Sequence, residues 1–142
     1  MDFSFTEEQE LLAENLVEFM DREYPESLIK ECDEQKIFPV EANKKFYEAG
    51  FGAIGVPEEL GGVPADMVTM CLVTSIVYRY SWAGCTYSPL SIMNAADKAS
   101  PEIRTEMLEG LMSGEKRHSF GNTEPGAGSD AAGIKTSYKK VD

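Results

Sequence analysis

From Thr6 to Gly114 the chain is punctuated by residues that start or stop helices, and this pattern restricts the fold more than any other feature. Thr6-Glu7-Glu8-Gln9 has the wording of a capping box, in which the Thr6 hydroxyl accepts from the Gln9 amide and the glutamine side chain reaches back to the Thr6 N–H. Phe5, Leu12, Leu16, Phe19 and Met20 then recur at helical spacing, which predicts an amphipathic first helix packed on something larger. Pro25 and Pro39 each read as the first residue of a further helix, the earlier one carrying Leu28 and Ile29. Gly50, after Ala49, supplies a left-handed stop for the third.

The run from Phe51 to Pro64 is too rich in turn residues to continue a helix and is expected as an ordered loop. Asp66 reads as the N-cap of a helix from Met67 to Ala83 that is apolar on nearly every face. That element is expected to be central and buried on most sides. A short helix from Pro89 to Ala99 follows. The last starts at Ser100-Pro101, carries a one-sided stripe of Ile103, Met107, Leu108, Leu111 and Met112, and ends at Gly114.

With 142 residues, 42% of them hydrophobic, the chain can bury one core and is not a disordered tail. Thirteen Lys and Arg stand against 25 Asp and Glu, a net charge of −12. A surface this acidic repels phosphate backbones and anionic membranes, which argues against a nucleic-acid module. Cys32, Cys71 and Cys85 show neither C-x-x-C spacing nor a histidine cluster, so neither a disulfide framework nor a zinc site is expected, and the setting reads as a reducing cytoplasm. The first residues lack the basic and apolar regions of a secretory signal, and the apolar stretch from Met67 to Tyr78 falls short of the roughly 20 residues of a spanning helix.

After Gly114 the period changes. Arg117 to Thr123 and Ile134 to Asp142 can be extended, around a loop from Glu124 to Gly133. This predicts a helical domain over 1–115 followed, over 116–142, by the start of a β domain. Two strands around a long loop do not make an independently stable sheet, so more chain, another subunit or the helices must cover their edges. The plainer alternative is that the tail folds over the bundle.

The segment Phe120-Gly121-Asn122-Thr123-Glu124-Pro125-Gly126-Ala127-Gly128-Ser129-Asp130 is the candidate for chemistry. Gly126 and Gly128 let a backbone approach a ligand closely, and successive N–H groups in such a turn can cradle phosphate oxygens, with the Ser129 hydroxyl at the rim. Residues 126–131 fit G-x-G-x-x-A, but Pro125 sits where the tight turn would begin, Gly133 and the β-branched residues after it weaken a following helix, and no acidic residue lies about 20 positions on. A dinucleotide fingerprint is therefore rejected, and a Walker loop fails for lack of Gly-Lys-Ser or Gly-Lys-Thr.

Thr-Glu-Pro-Gly-Ala-Gly-Ser-Asp at 123–130, followed by Ala-Ala-Gly-Ile-Lys-Thr, closely resembles the flavin-binding signature of the acyl-CoA dehydrogenase family. Phe-Thr-Glu-Glu-Gln at the start, Ala-Gly-Phe-Gly at 49–52, Val-Pro-Glu-Glu-Leu-Gly-Gly at 56–62 and Ser-Gly-Glu-Lys at 113–116 agree in order. The wording around Glu31-Cys32-Asp33 and Thr86-Tyr87 is most similar to the crotonobetainyl-CoA reductase branch, linked to carnitine metabolism.

The resemblance implies a mainly α fold, the N-terminal helical-bundle domain of that family followed by the first strands of its β domain. It also implies an FAD-dependent oxidoreductase acting on the Cα–Cβ bond of an acyl-CoA thioester, homotetrameric, with electron-transfer flavoprotein as partner. Phe120, Gly121, Asn122, Thr123, Glu124, Pro125, Gly126, Ala127, Gly128 and Ser129 would line the cofactor, with Asn122 and Thr123 at the polar edge of the ring. Ser129 would also reach the acyl-CoA. Asn122 departs from the apolar residue common at its position, so its side chain contacts ligand or caps a turn.

The family's carboxylate base belongs to a C-terminal bundle outside these residues, so no catalytic residue is expected here, and Glu58, Glu59 and Glu124 read as solvated or structural. FAD binding should need the missing elements, supplied by more of the same chain or by a complementing subunit. The rival is a non-catalytic helical interaction module. Of the remaining candidates, His118 reads as a surface or hydrogen-bonded residue, Tyr78, Tyr80 and Trp82 as core, and Cys71 as an apolar filler.

Overall fold

The computed structural model describes residues 4–80, 87–119, 121–137 and 139. Among them are six helices: α1 (Glu7–Glu23), α2 (Glu26–Gln35), α3 (Val40–Glu48), α4 (Met67–Tyr80), α5 (Pro89–Lys98) and α6 (Pro101–Met112). Three short 3₁₀ turns, Phe51–Ala53, Glu58–Leu60 and Ala131–Gly133, lie in the connections.

The starts are built as their residues dictate. The Gln9 amide donates to Thr6 Oγ1 (3.2 Å) and the Thr6 amide to Gln9 Oε1 (3.1 Å), closing the capping box of α1. Asp66 Oδ1 accepts from the Thr69 amide at 2.7 Å, and that bond, above all, holds the Asp66 carboxyl below its ordinary range. Pro25 and Pro39 stand one position earlier than expected, as caps rather than first helical residues. Proline has no N–H to satisfy, so either place at a helix start suits it. Gly50 is left-handed (φ 86°) after Ala49, as expected. Lys36 adopts the same conformation (φ 57°) beyond α2, where an L side chain is strained.

The core is an aromatic cluster inside an aliphatic shell. Phe46 is fully buried, with ring centroids of Phe51, Tyr47, Phe19 and Tyr87 at 5.9, 5.9, 6.1 and 6.4 Å. Burying one such ring contributes about 1.5–3 kcal/mol. Leu16 and Met20 of α1, Val73 and Val77 of α4 and Ile92 of α5 close around it. Tyr87 donates to the Ile54 carbonyl at 3.0 Å, and desolvation pushes its phenol up to about 12.

The 51–64 connection is ordered by backbone rather than by a core of its own. Gly55 and Val63 are joined by an amide bond of 2.8 Å, and Ile54 and Val63 form an isolated parallel bridge. A Cβ on Gly62 would run into the Val56 backbone, so this crossing requires glycine.

The expected burial is corrected at several positions. α4 is buried only along Val73, Ile76 and Val77, while Met67, Val68, Cys71 and Tyr78 are exposed. α1 packs against one stripe of α4, and an apolar residue elsewhere on a helix is covered only if a second element reaches it. Cys71 is therefore not a core filler, and Tyr78 lies at the surface, its hydroxyl 3.2 Å from the Tyr87 carbonyl. Tyr80 packs partly against the core and donates to Asp21 at 2.6 Å, whereas Trp82 and Cys85 lie outside the described residues. On α6 the apolar stripe starts only at Met107, because Ile103 is exposed.

Among the described residues, neither 117–123 nor 134–139 pairs as a strand, and an isolated Glu124–Ala127 bridge is the ladder contact there. Two short extended segments lack the cross-strand partners that hold a sheet.

Candidate functional site

The segment 121–137 forms a compact loop whose ends are tied by one carboxylate. Glu124 accepts from the amides of Lys135 (3.0 Å) and Thr136 (2.7 Å) and, by a short bond, from the Thr136 hydroxyl. The hydroxyl bond first, then the two amides, hold its carboxyl below the ordinary range. Glu124 is thus structural, as expected, and its oxygens are committed. Inside the loop, Glu124 and Ala127 exchange two amide bonds (3.0 and 3.1 Å) around Pro125 and Gly126, and Ala127 is buried. The Ala131–Gly133 turn follows, with the Gly133 amide donating to the Asp130 carbonyl at 3.0 Å.

Around this frame the other signature residues face outward. Gly121, Asn122, Thr123, Pro125, Gly126, Gly128 and Ser129 are exposed, Glu124 is half-buried, and Phe120 lies outside the described residues. Gly126 and Gly128 are not left-handed, so the phosphate concavity expected from glycine conformations is not formed by φ alone. A Cβ at Gly121, Gly126 or Gly128 would meet nothing within 4 Å. The space above them is open, and the amides of Gly126, Gly128 and Ser129 have no hydrogen-bond acceptor among the described residues. These donors, with the Thr123 and Ser129 hydroxyls, fit the polar edge and phosphates of a flavin nucleotide as one wall of a site.

The basic residues contribute little to that wall. Lys116 pairs with Glu106, and Arg117 lies over the Phe38 ring at 4.2 Å from its centroid. Lys135 and Lys139 are exposed, and Lys140 lies outside the described residues. Glu58 and Glu59 are exposed in their 3₁₀ turn. No group of three or more His, Cys, Asp or Glu among the described residues could hold a metal, and no helix there is long and apolar enough to cross a membrane.

Two features escaped the sequence reading. The Glu124–Thr136 tie spans twelve residues with no local pattern to mark it. The other is the partner of His118: the residue is exposed and hydrogen-bonded, as expected, but its Nδ1 meets Ser91 Oγ at 2.9 Å, 27 residues away, and Ser91 Oγ lies 2.6 Å from Ser88 Oγ. Ser88 precedes Pro89 as a cap, yet its side chain makes no cap bond.

Residues 6–115 match the family model described as acyl-CoA dehydrogenase, N-terminal domain. The chain is 32% identical over 142 residues to proteins named probable acyl-CoA dehydrogenase YdiO from Escherichia coli K12 and from E. coli O157:H7. The match covers 99% of this chain and 37% of those relatives, so the chain spans little more than a third of their length. In fold it is similar to a chain in the crystal structure of the ChsE4–ChsE5 complex from Mycobacterium tuberculosis, with TM-score 0.76 and 21% identity over 96% of this chain and 35% of that one. The chain therefore belongs to the acyl-CoA dehydrogenase family and corresponds to its N-terminal portion, a helical domain.

Proposed function

We propose that the 120–129 segment is one wall of an FAD site in an enzyme that oxidises or reduces the Cα–Cβ bond of an acyl-CoA thioester. The observation that carries this reading is the loop itself: its ends are locked by Glu124, Thr123 and Ser129 are exposed, a Cβ on Gly126 or Gly128 would meet nothing within 4 Å, and the amides of Gly126, Gly128 and Ser129 have no acceptor among the described residues. Bound FAD supplies the hydride acceptor or donor. Asn122 and Thr123 hydrogen-bond the polar edge of the ring, where such contacts favour the negative charge of the reduced form. Ser129 reaches the pyrophosphate and the acyl-CoA. Domain 1–115 carries this wall, and 116–142 opens the β domain.

The carboxylate that takes the α-proton comes from outside these residues. Glu124 accepts from Lys135 and Thr136 to close the loop, and Glu58 and Glu59 stand in an exposed turn of another region. With a net charge of −12 and two of the nearby cations engaged elsewhere, the 142 residues alone bind FAD negligibly. Micromolar binding with a shifted flavin spectrum in a direct titration would overturn that statement. Co-expression with the remaining two-thirds of a YdiO-type relative gives a yellow complex. A colourless stoichiometric complex would instead favour a non-catalytic interaction module.

A further inference from the structure

The lead into the signature is fastened to the start of α5 by a chain of three side chains. Ser88 Oγ, Ser91 Oγ and His118 Nδ1 follow one another at 2.6 and 2.9 Å. Ser91 is buried and sits in the first turn of α5, while His118 is exposed and stands five residues before Thr123. The hydroxyls and the imidazole line one small cavity of about 20 Å³, room for a single water.

The direction of the chain follows from its surroundings. Ser91 lies where the free amides of a helix N-terminus present partial positive charge, a place that suits an acceptor rather than another N–H. Nδ1 is then the lone-pair nitrogen, Nε2 carries the proton toward solvent, and the donors run Ser88 to Ser91 to His118.

The charged and titratable groups lining the same cavity are Lys116 and Arg117 of the His118 segment and Tyr47 of α3; α5 and α6 contribute Ser88, Ser91, Ile92 and Leu111, none charged. Lys116 is offset by Glu106 of α6, and Arg117 rests on Phe38. Among the described residues, no carboxylate lines the cavity.

We propose that His118 is a positioning residue for the flavin-contacting segment: its imidazole, accepting at Nδ1 from Ser91, fixes the lead into that segment against α5. This rests on the reading of that segment as the FAD wall.

Because the chain contains one histidine, a long-range proton–nitrogen NMR spectrum of the labelled protein reports this ring alone. The proposal expects the Nε2–H tautomer, and the Nδ1–H tautomer overturns it. Backbone order parameters at residues 119 and 121–123 should fall in Ser91→Ala, as the lead comes loose from α5, and stay at the wild-type level in His118→Asn, whose amide oxygen replaces Nδ1 as the acceptor. Unchanged order parameters in Ser91→Ala overturn the fastening.

The flavin arm uses the complex with the complementing elements. Ser91→Ala should retain FAD severalfold less well than wild type, and His118→Asn should retain it as the wild type does. Lower order parameters with unaltered retention overturn the positioning role. A wild-type complex that takes up no flavin overturns the FAD reading, while the order parameters of the chain still decide whether the fastening exists.

Discussion

The helical body and the signature loop are held together by different kinds of contact. In the body the bonds that fix the elements join residues far apart in sequence: Gln9 to Thr69, Tyr87 to Ile54 and Asn43 to Gly114. In the loop the bonds that close it, Glu124 to Ala127 and Glu124 to Lys135 and Thr136, stay within twelve residues. Long-range packing makes the order of the body cooperative, whereas the loop is ordered locally and can open without unfolding the rest. The contrast also separates the roles, since the loop uses one carboxylate to set its shape and leaves its remaining polar groups facing outward.

The strongest way to break the comparison is Phe46→Ala. Removing the ring on which Phe19, Tyr47, Phe51 and Tyr87 converge should cost about 3–5 kcal/mol in urea denaturation. A loss below about 1 kcal/mol would show that the body is not organised around that cluster. Next in size is Asn43→Ala. The buried Asn43 amide donates to the Gly114 carbonyl at 3.0 Å, and Gly114 is left-handed (φ 71°). Leaving that carbonyl unpaired should cost about 1–3 kcal/mol, read as a lower denaturation midpoint at constant slope.

Lys36→Gly should raise stability by about 0.5–1 kcal/mol, because glycine relieves the left-handed strain beyond α2 while the pair lost, Lys36 with Asp33 at 3.4 Å, is exposed and contributes little. An unchanged midpoint would place that strain elsewhere. Glu124→Gln has the smallest global effect and sharpens the comparison most. The Lys135 and Thr136 amides should exchange severalfold faster while the melting midpoint of the body stays put. In the wild type the Glu124 carboxyl is held below its ordinary range, so the tie is complete at neutral pH and is lost as pH falls through the lowered value. Exchange at Thr136 that stayed constant through that fall would refute the tie.

Local chemistry was legible along the whole chain. The capping box at Thr6, the Asp66 cap and the Gly50 stop could each be argued from residue types and short spacings. The signature octet pointed to a family, and the family model and the E. coli relatives bear that out. α4 shows where such reasoning ends. Its apolar composition was read as burial on most sides, yet Met67, Val68 and Cys71 are exposed because α1 covers only one stripe.

The sequence by itself determined where helices begin and end and which residues can offer donors to a ligand, because caps, turns and N–H chemistry act over three or four residues. Only the tertiary structure decided which apolar faces are covered, that Glu124 reaches Thr136, and that His118 meets Ser91 across 27 residues. Those depend on how separate segments approach one another, and the energy of that approach resides in the packed core rather than in any local pattern.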